Sequence, residues 1–178
     1  YWTVDTTDPD TFIDTAPTGT VATNDAWVTW GATEEAAFEY RLDGGGWESG
    51  TTGRYFWDLA DGVHTVEVRA TDLVGHVDPT PASATWTVDT TAPETTIDSG
   101  PPSRTAETGA TVAFSASEPG SSFACRLDGD DWTPCTSPHV LSGLAEGEHT
   151  VAVRASDAVA NTDPTPATRT WSIDFFFS

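Results

Sequence analysis

Apolar and polar residues alternate along most of this chain, the two-residue period of a half-buried strand. Ala26, Val28 and Trp30 share one parity, while Trp27 falls on the opposite face of the same strand. Phe38, Tyr40 and Leu42 alternate with Glu39 and Arg41, and Val66, Val68 and Ala70 alternate with Glu67 and Arg69. Trp86 and Val88 extend the pattern, a first strand is expected around Ile13, and another runs from about Tyr55 to Leu59. On that last strand Tyr55, Trp57 and Leu59 are expected to face inward, which turns Phe56 outward. Short strands punctuated by Gly, Pro and Asp predict an all-β architecture.

The same pattern occurs twice. Trp2-Thr3-Val4-Asp5-Thr6-Thr7 returns as Trp86-Thr87-Val88-Asp89-Thr90-Thr91 and again as Trp171-Ser172-Ile173-Asp174, at spacings of 84 and 85 residues. Arg41-Leu42-Asp43-Gly44 matches Arg126-Leu127-Asp128-Gly129, Trp47 matches Trp132, and His64-Thr65-Val66 matches His149-Thr150-Val151. Two units follow, residues 6–89 and 90–174. Each is expected to be an immunoglobulin-like β-sandwich of about seven strands. Residues 1–5 then read as a spare strand like the last strand of a preceding repeat, and residues 175–178 as an apolar tail that docks on something. The spare strand implies a slice of a longer array, or a strand added to an identical subunit.

Composition narrows the partners. The chain has 178 residues, 28 acidic against 7 basic ones, and a net charge of -21; every basic residue is an arginine. Such a field repels phosphate backbones and anionic headgroups, so nucleic-acid binding and electrostatic membrane docking are excluded as primary roles. No apolar run reaches the length of a membrane span, and the start lacks the basic and apolar regions of a signal peptide. Without an initiator methionine, the chain is expected to be a processed product or an excised piece.

Val88 through Pro101, Phe123-Ala124-Cys125-Arg126-Leu127-Asp128-Gly129, Trp132-Thr133-Pro134-Cys135, and His149 through Ala155 followed by Asp157 carry a resemblance to the immunoglobulin-like repeats strung along large bacterial and archaeal surface proteins. The resemblance covers nearly the whole chain, and the second unit fits it closely. The first unit departs in having Tyr40 for the first cysteine, no second cysteine, and Gly75-His76 where Gly-Asn is common. The resemblance implies a structural or adhesive role outside the cell, on a cell surface, a filament or a decorated virion.

Candidate chemistry is sparse. Cys125 and Cys135 flank a turn and are expected to form a disulfide rather than two buried thiols or a metal pair, which indicates an oxidising compartment. His64 and His149 begin equivalent strands just after a turn, where immunoglobulin-like domains use a tyrosine to bond the preceding corner, and the same corner role is expected of them. Asp128-Gly129-Asp130-Asp131 is not an EF-hand, because the twelfth position is His139. The carboxylates at the ends of the units, Asp72, Asp78 and Asp89, with Asp157, Asp163 and Asp174 in the second, are candidate calcium ligands. The resemblance points the same way, since some extended adhesins rigidify their junctions with calcium. Turn capping beside Pro and Gly is the plain alternative.

Trp27 with Phe56 is a candidate contact patch for a glycan or a protein, against the alternative of edge packing. No nucleophile elbow, zinc-protease motif or phosphate loop occurs, so no enzyme is expected. The resulting expectation is a non-enzymatic spacer or building block whose partners are neighbouring repeats or identical subunits. The alternative is recognition of a cell-surface glycan or protein by the aromatics of the first repeat.

Overall fold

The computed structural model describes residues 4–176. The chain divides into two compact units, one ending at Thr90 and the other beginning at Thr91. The first contains β1 (Thr11–Thr15), β2 (Thr20–Val21), β3 (Ala26–Ala32), β4 (Ala36–Leu42), β5 (Glu48–Gly50), β6 (Gly53–Phe56), β7 (Gly62–Asp72) and β8 (Ala82–Val88). The second repeats the series as β9 (Thr95–Ser99), β10 (Arg104–Thr105), β11 (Ala110–Ala116), β12 (Ser122–Leu127), β13 (Thr133–Cys135), β14 (His139–Leu141), β15 (Gly147–Ser156) and β16 (Ala167–Ile173).

In each unit a three-stranded sheet faces a five-stranded one. The orders are β1-β3-β6 over β2-β8-β7-β4-β5, and β9-β11-β14 over β10-β16-β15-β12-β13. All pairings are antiparallel except β2 with β8 and β10 with β16, which run parallel. Both units are therefore immunoglobulin-like β-sandwiches, with the first strand of each switching sheets partway along.

Alternation builds the cores. Ala26, Val28, Trp30, Val66, Val68, Ala70, Trp86 and Val88 are buried between the sheets of the first unit, and Val112, Phe114, Cys125, Val151, Val153, Trp171 and Ile173 between those of the second. Eight strands per unit appear instead of seven because the sheet switch divides the first strand into two short pieces.

The strand around residue 55 differs from the expected one. It spans Gly53–Phe56 and pairs Ala26 with Phe56 and Trp27 with Tyr55. Phe56 is 8% exposed and belongs to the core, while Tyr55 and Trp57 face water. The cause is Asp58, whose φ of 56° is left-handed. Counting parity back from buried Leu59 through a left-handed residue reverses the faces, because alternation holds only in extended backbone.

Of the opening segment, residues 1–3 lie outside the described residues, and Val4 and Asp5 are exposed and in no strand. Residues 177–178 of the tail also lie outside them, while Phe175 and Phe176 are exposed.

Candidate functional site

The most ordered polar constellation occurs twice, at the turn entering the long strand of each unit. In the first, Asp43 adopts a left-handed φ of 50°, a conformation that Asp tolerates better than most residues. Its Oδ1 accepts the Thr65 N–H at 2.8 Å, and its Oδ2 lies 2.8 Å from His64 Nδ1. His64 Nε2 lies 2.8 Å from the carbonyl oxygen of Ala60. In the second unit Asp128, Thr150, His149 and Ala145 reproduce each bond, at 2.7 to 2.9 Å.

Both nitrogens of each imidazole thus face an acceptor, one a carboxylate and the other a carbonyl. A neutral ring has only one N–H, so both bonds form together only in the imidazolium. For His64, burial opposes the charge, but the bonds to Ala60 and Asp43 outweigh it and the pKa is raised. For His149, the bonds to Ala145 and Asp128 outweigh burial and raise the pKa as well. The rings stack beside Trp86 and Trp171, with centroids 6.1 and 5.8 Å apart. These contacts tie the turn to the long strand, and neither imidazole has a nitrogen left over for proton transfer to a substrate.

Of the carboxylates singled out at the unit ends, Asp72, Asp78, Asp157, Asp163 and Asp174 accept backbone N–H bonds. Asp72 Oδ1 accepts N–H bonds from Val74, Gly75 and His76, and its Oδ2 lies 2.8 Å from His76 Nδ1. Asp157 caps the equivalent turn through Val159 and Asn161, the Asn161 side-chain amide replacing the imidazole. Asp78 and Asp163, only 3% and 2% exposed, fasten the first strand of their unit to the loop before its last strand. Asp78 accepts the Thr11 and Thr80 N–H groups and the Thr80 hydroxyl, and Asp163 accepts those of Thr95 and Thr165. Burial works against their charge, but these donors prevail and hold both pKa values low.

Asp174 pairs with Arg104 and accepts the Phe176 N–H. The Asp89 N–H donates to Val21 O at the end of β8. Ligand atoms of Asp5, Asp72 and His76 approach within 4.8 Å of one another, a grouping that Gly75-His76 in the sequence did not announce. Asp78 stands apart from it, with its own set of donors.

Arginine and tryptophan form a second duplicated device. Trp47 lies under the guanidinium groups of Arg41 and Arg69, 4.6 and 4.2 Å from its centroid, and Trp132 lies under Arg126 and Arg154 at 4.6 and 4.3 Å. In the first unit the same arginines also hold carboxylates, Arg41 with Glu67 and Arg69 with Glu39. The sequence signalled this clasp only through the repeated Trp, since arginines two strands apart converge only once β4 and β7 pair.

Cys125 and Cys135 are joined in a disulfide between β12 and β13, with Cα atoms 5.8 Å apart. In the first unit Tyr40 and Gly50 occupy the two positions, and the Tyr40 ring fills the space where a side chain at Gly50 would stand. Of the expected contact patch, Trp27 lies on the open face of its sheet and Phe56 does not, being inside. The exposed companions of Trp27 are Tyr55 and Trp57.

No protein-family profile and no curated protein matches the chain. Among solved structures it is similar to the fibronectin(III)-like modules of Clostridium thermocellum CbhA, at 16% identity over 92% of this chain and 94% of that one, with a TM-score of 0.46. It is similar to a Ca2+-stabilized adhesin that helps an Antarctic bacterium reach out and bind ice, at 16% identity over 96% of this chain, half the length of that one, and a TM-score of 0.48. A third likeness is to a 1.5-MDa bacterial ice-binding adhesin, at 17% identity, 94% and 65% coverage and a TM-score of 0.41. Likenesses this distant carry no argument about activity or partners, and the fold assignment stands on the strand order itself.

Proposed function

We propose that the chain is a non-enzymatic repeat module of an extracellular protein, acting as spacer or building block in a cell-surface protein, filament or virion coat. The observation that carries this reading is the duplication of complete sandwiches whose polar constellations serve the same structural ends in both copies. The paired His64 and His149 corners, the buried Asp78 and Asp163 anchors and the Trp47 and Trp132 clasps each recur at equivalent positions. A repeated scaffold with repeated internal braces suits a role in which mechanical continuity is the product.

The disulfide supports an oxidising location. The strongly acidic exterior suits a solvated surface exposed to ions rather than docking on nucleic acid. No helix among the described residues is long and apolar enough to cross a membrane. Neighbouring repeats or identical subunits are the partners this role implies, and residues 1–5 are the segment that a strand-addition contact would use.

Surface exposure is the direct test. Antibodies raised against the chain should label intact, unpermeabilised cells or purified filaments and virions of the source, and brief external protease treatment should remove the signal. Labelling that requires permeabilisation would place the chain inside the cell and end this reading.

A further inference from the structure

The outer face of the three-stranded sheet in the first unit carries a strip of aromatic rings. Trp27 on β3 stands opposite Tyr55 on β6, and Trp57 follows two residues later. Their centroids are 6.3 and 6.0 Å apart, with successive rings tilted by 35° and 30°. They are 53%, 40% and 59% exposed. Trp27 lies across Gly53, where a Cβ would come 3.2 Å from its Cζ2, and Phe12 covers Gly31 on the same face, with its Cζ 2.7 Å from such a Cβ. Trp27 and Phe12 therefore rest against the sheet while remaining open to water on the other side.

The second unit is an internal control. Its matching sheet has the same order and places Thr96, Thr111, Val140 and Ser142 where Phe12, Trp27, Tyr55 and Trp57 stand. The sandwich thus closes without aromatic residues on this face, and a row of large exposed rings is a feature the fold does not require.

We propose that the strip Trp27-Tyr55-Trp57 binds a single chain of a neutral, hydroxyl-rich polysaccharide, with the apolar faces of successive sugar rings stacked on the aromatics. The net charge of -21 disfavours a polyanionic ligand. Hydrogen-bonding groups accompany the rings: the Thr15 and Thr29 hydroxyls lie 2.8 Å apart on the same face, and Asp25 accepts the Tyr55 hydroxyl. These suit the hydroxyl groups of a sugar. The exposed aliphatics Val63, Leu73 and Val74 lie elsewhere, at the start of β7 and in the turn after it, so the exposed apolar surface of this face is aromatic, Phe12 included. Because successive rings share no plane, they fit a flexible chain better than a flat crystal surface.

Affinity electrophoresis of the full chain in gels containing hydroxyethylcellulose, laminarin, galactomannan or starch tests the proposal, with alginate as polyanionic control. At least one neutral polymer should retard the protein and alginate should not. The double variant Trp27→Ala, Trp57→Ala should bind about tenfold or more weakly. Both side chains are exposed, so the variant should fold, and an unchanged far-UV spectrum with an unchanged disulfide verifies it. Absence of retardation by every neutral polymer overturns the proposal, as does undiminished binding by the folded double variant. Sedimentation that shows a dimer lost in the double variant also overturns it, since the strip would then meet a second copy. The proposal does not depend on the spacer role: a surface-labelled protein that binds no polysaccharide would retain one and lose the other.

Discussion

A histidine whose two nitrogens both face acceptors converts local geometry into a pH dependence. His64 and His149 titrate above the ordinary histidine value in the fold and at that value when unfolded. Their contribution is therefore complete below about pH 6.5 and is lost as pH rises through the raised folded values. The carboxylates work in the opposite direction. Asp78 and Asp163 titrate below the ordinary value in the fold, so their contribution is present above about pH 4 and disappears as pH falls through the lowered folded values. Melting temperature against pH should form a plateau across mildly acidic pH, with a steep acid limb and a shallower decline on the alkaline side. His64→Gln with His149→Gln should flatten the alkaline decline; its survival in that variant would show that other groups cause it. Asp163→Asn should destabilise the second unit by about 2–3 kcal/mol, because the amide NH2 must face backbone N–H or hydroxyl donors inside the protein. Urea denaturation checks this, and a loss below 0.5 kcal/mol would mean that the anchor holds little. The corner histidines carry a signal in the sequence because repetition sets them after matching turns, Leu59-Ala60-Asp61-Gly62 and Leu144-Ala145-Glu146-Gly147. The buried state of Asp78 carries none, since its donor Thr11 lies 67 positions away and meets it only when the sandwich closes.

At the scale of strands, the two units solve one packing problem differently. The pair Cys125 and Cys135 bridges β12 and β13 in one unit, and the Tyr40 ring lies over Gly50 between β4 and β5 in the other. The Tyr40 hydroxyl also bonds Glu48 at 2.9 Å, and its ring contacts Trp30 and Phe56. Gly50→Ala should cost about 1–3 kcal/mol, because the new Cβ would lie 2.8 Å from Tyr40 Cδ1 and a shift of the ring would disturb its contacts with Trp30, Phe56 and Glu48. Reducing the disulfide should lower the stability of the second unit by about 3 kcal/mol on the chain-entropy estimate for a loop of this length. Calorimetry with and without reductant separates the two effects: the reductant should move one transition and Gly50→Ala the other. A single transition displaced by both would show that the units unfold together. Period-two alternation makes the long strands β3, β4, β7 and β8 legible in the residues themselves. It fails at β6, where a four-residue strand ends near left-handed Asp58 and the alternation that fixes faces is too short to survive the break. The contact strip is accordingly half legible: Trp27 lies within β3 with its parity secured by buried Ala26 and Val28 on either side, whereas counting through Asp58 turns Tyr55 and Trp57 to the wrong face.

Across the whole chain, charge decides how the fold responds to its medium. All seven arginines are engaged by contacts already made: Arg41, Arg69, Arg126 and Arg154 over tryptophan, Arg54 beside Tyr40 and Trp57, Arg104 on Asp174, and Arg169 on the Pro101 carbonyl. The many remaining carboxylates repel one another across the surface with few cations to offset them. Salt screens both this repulsion and the surface ion pairs, but a half-buried surface pair such as Arg69 with Glu39 is worth about 1 kcal/mol or less, so relief of the repulsion prevails. Melting temperature should therefore rise as sodium chloride goes from about 0.02 M to about 1 M, where the screening length shrinks to about 3 Å. A fall would mean that the ion pairs outweigh the repulsion. Calcium offers the sharper comparison, because a bound ion stabilises in proportion to the logarithm of its concentration over its dissociation constant, whereas screening depends only on ionic strength. The Asp72, Asp78, Asp157 and Asp163 carboxylates already accept two or more N–H bonds each, and this geometry predicts that their turns persist without an ion. At fixed ionic strength, replacing EGTA with millimolar calcium should then shift melting by no more than magnesium does. A large shift specific to calcium would instead make those end carboxylates ligands first and turn caps second.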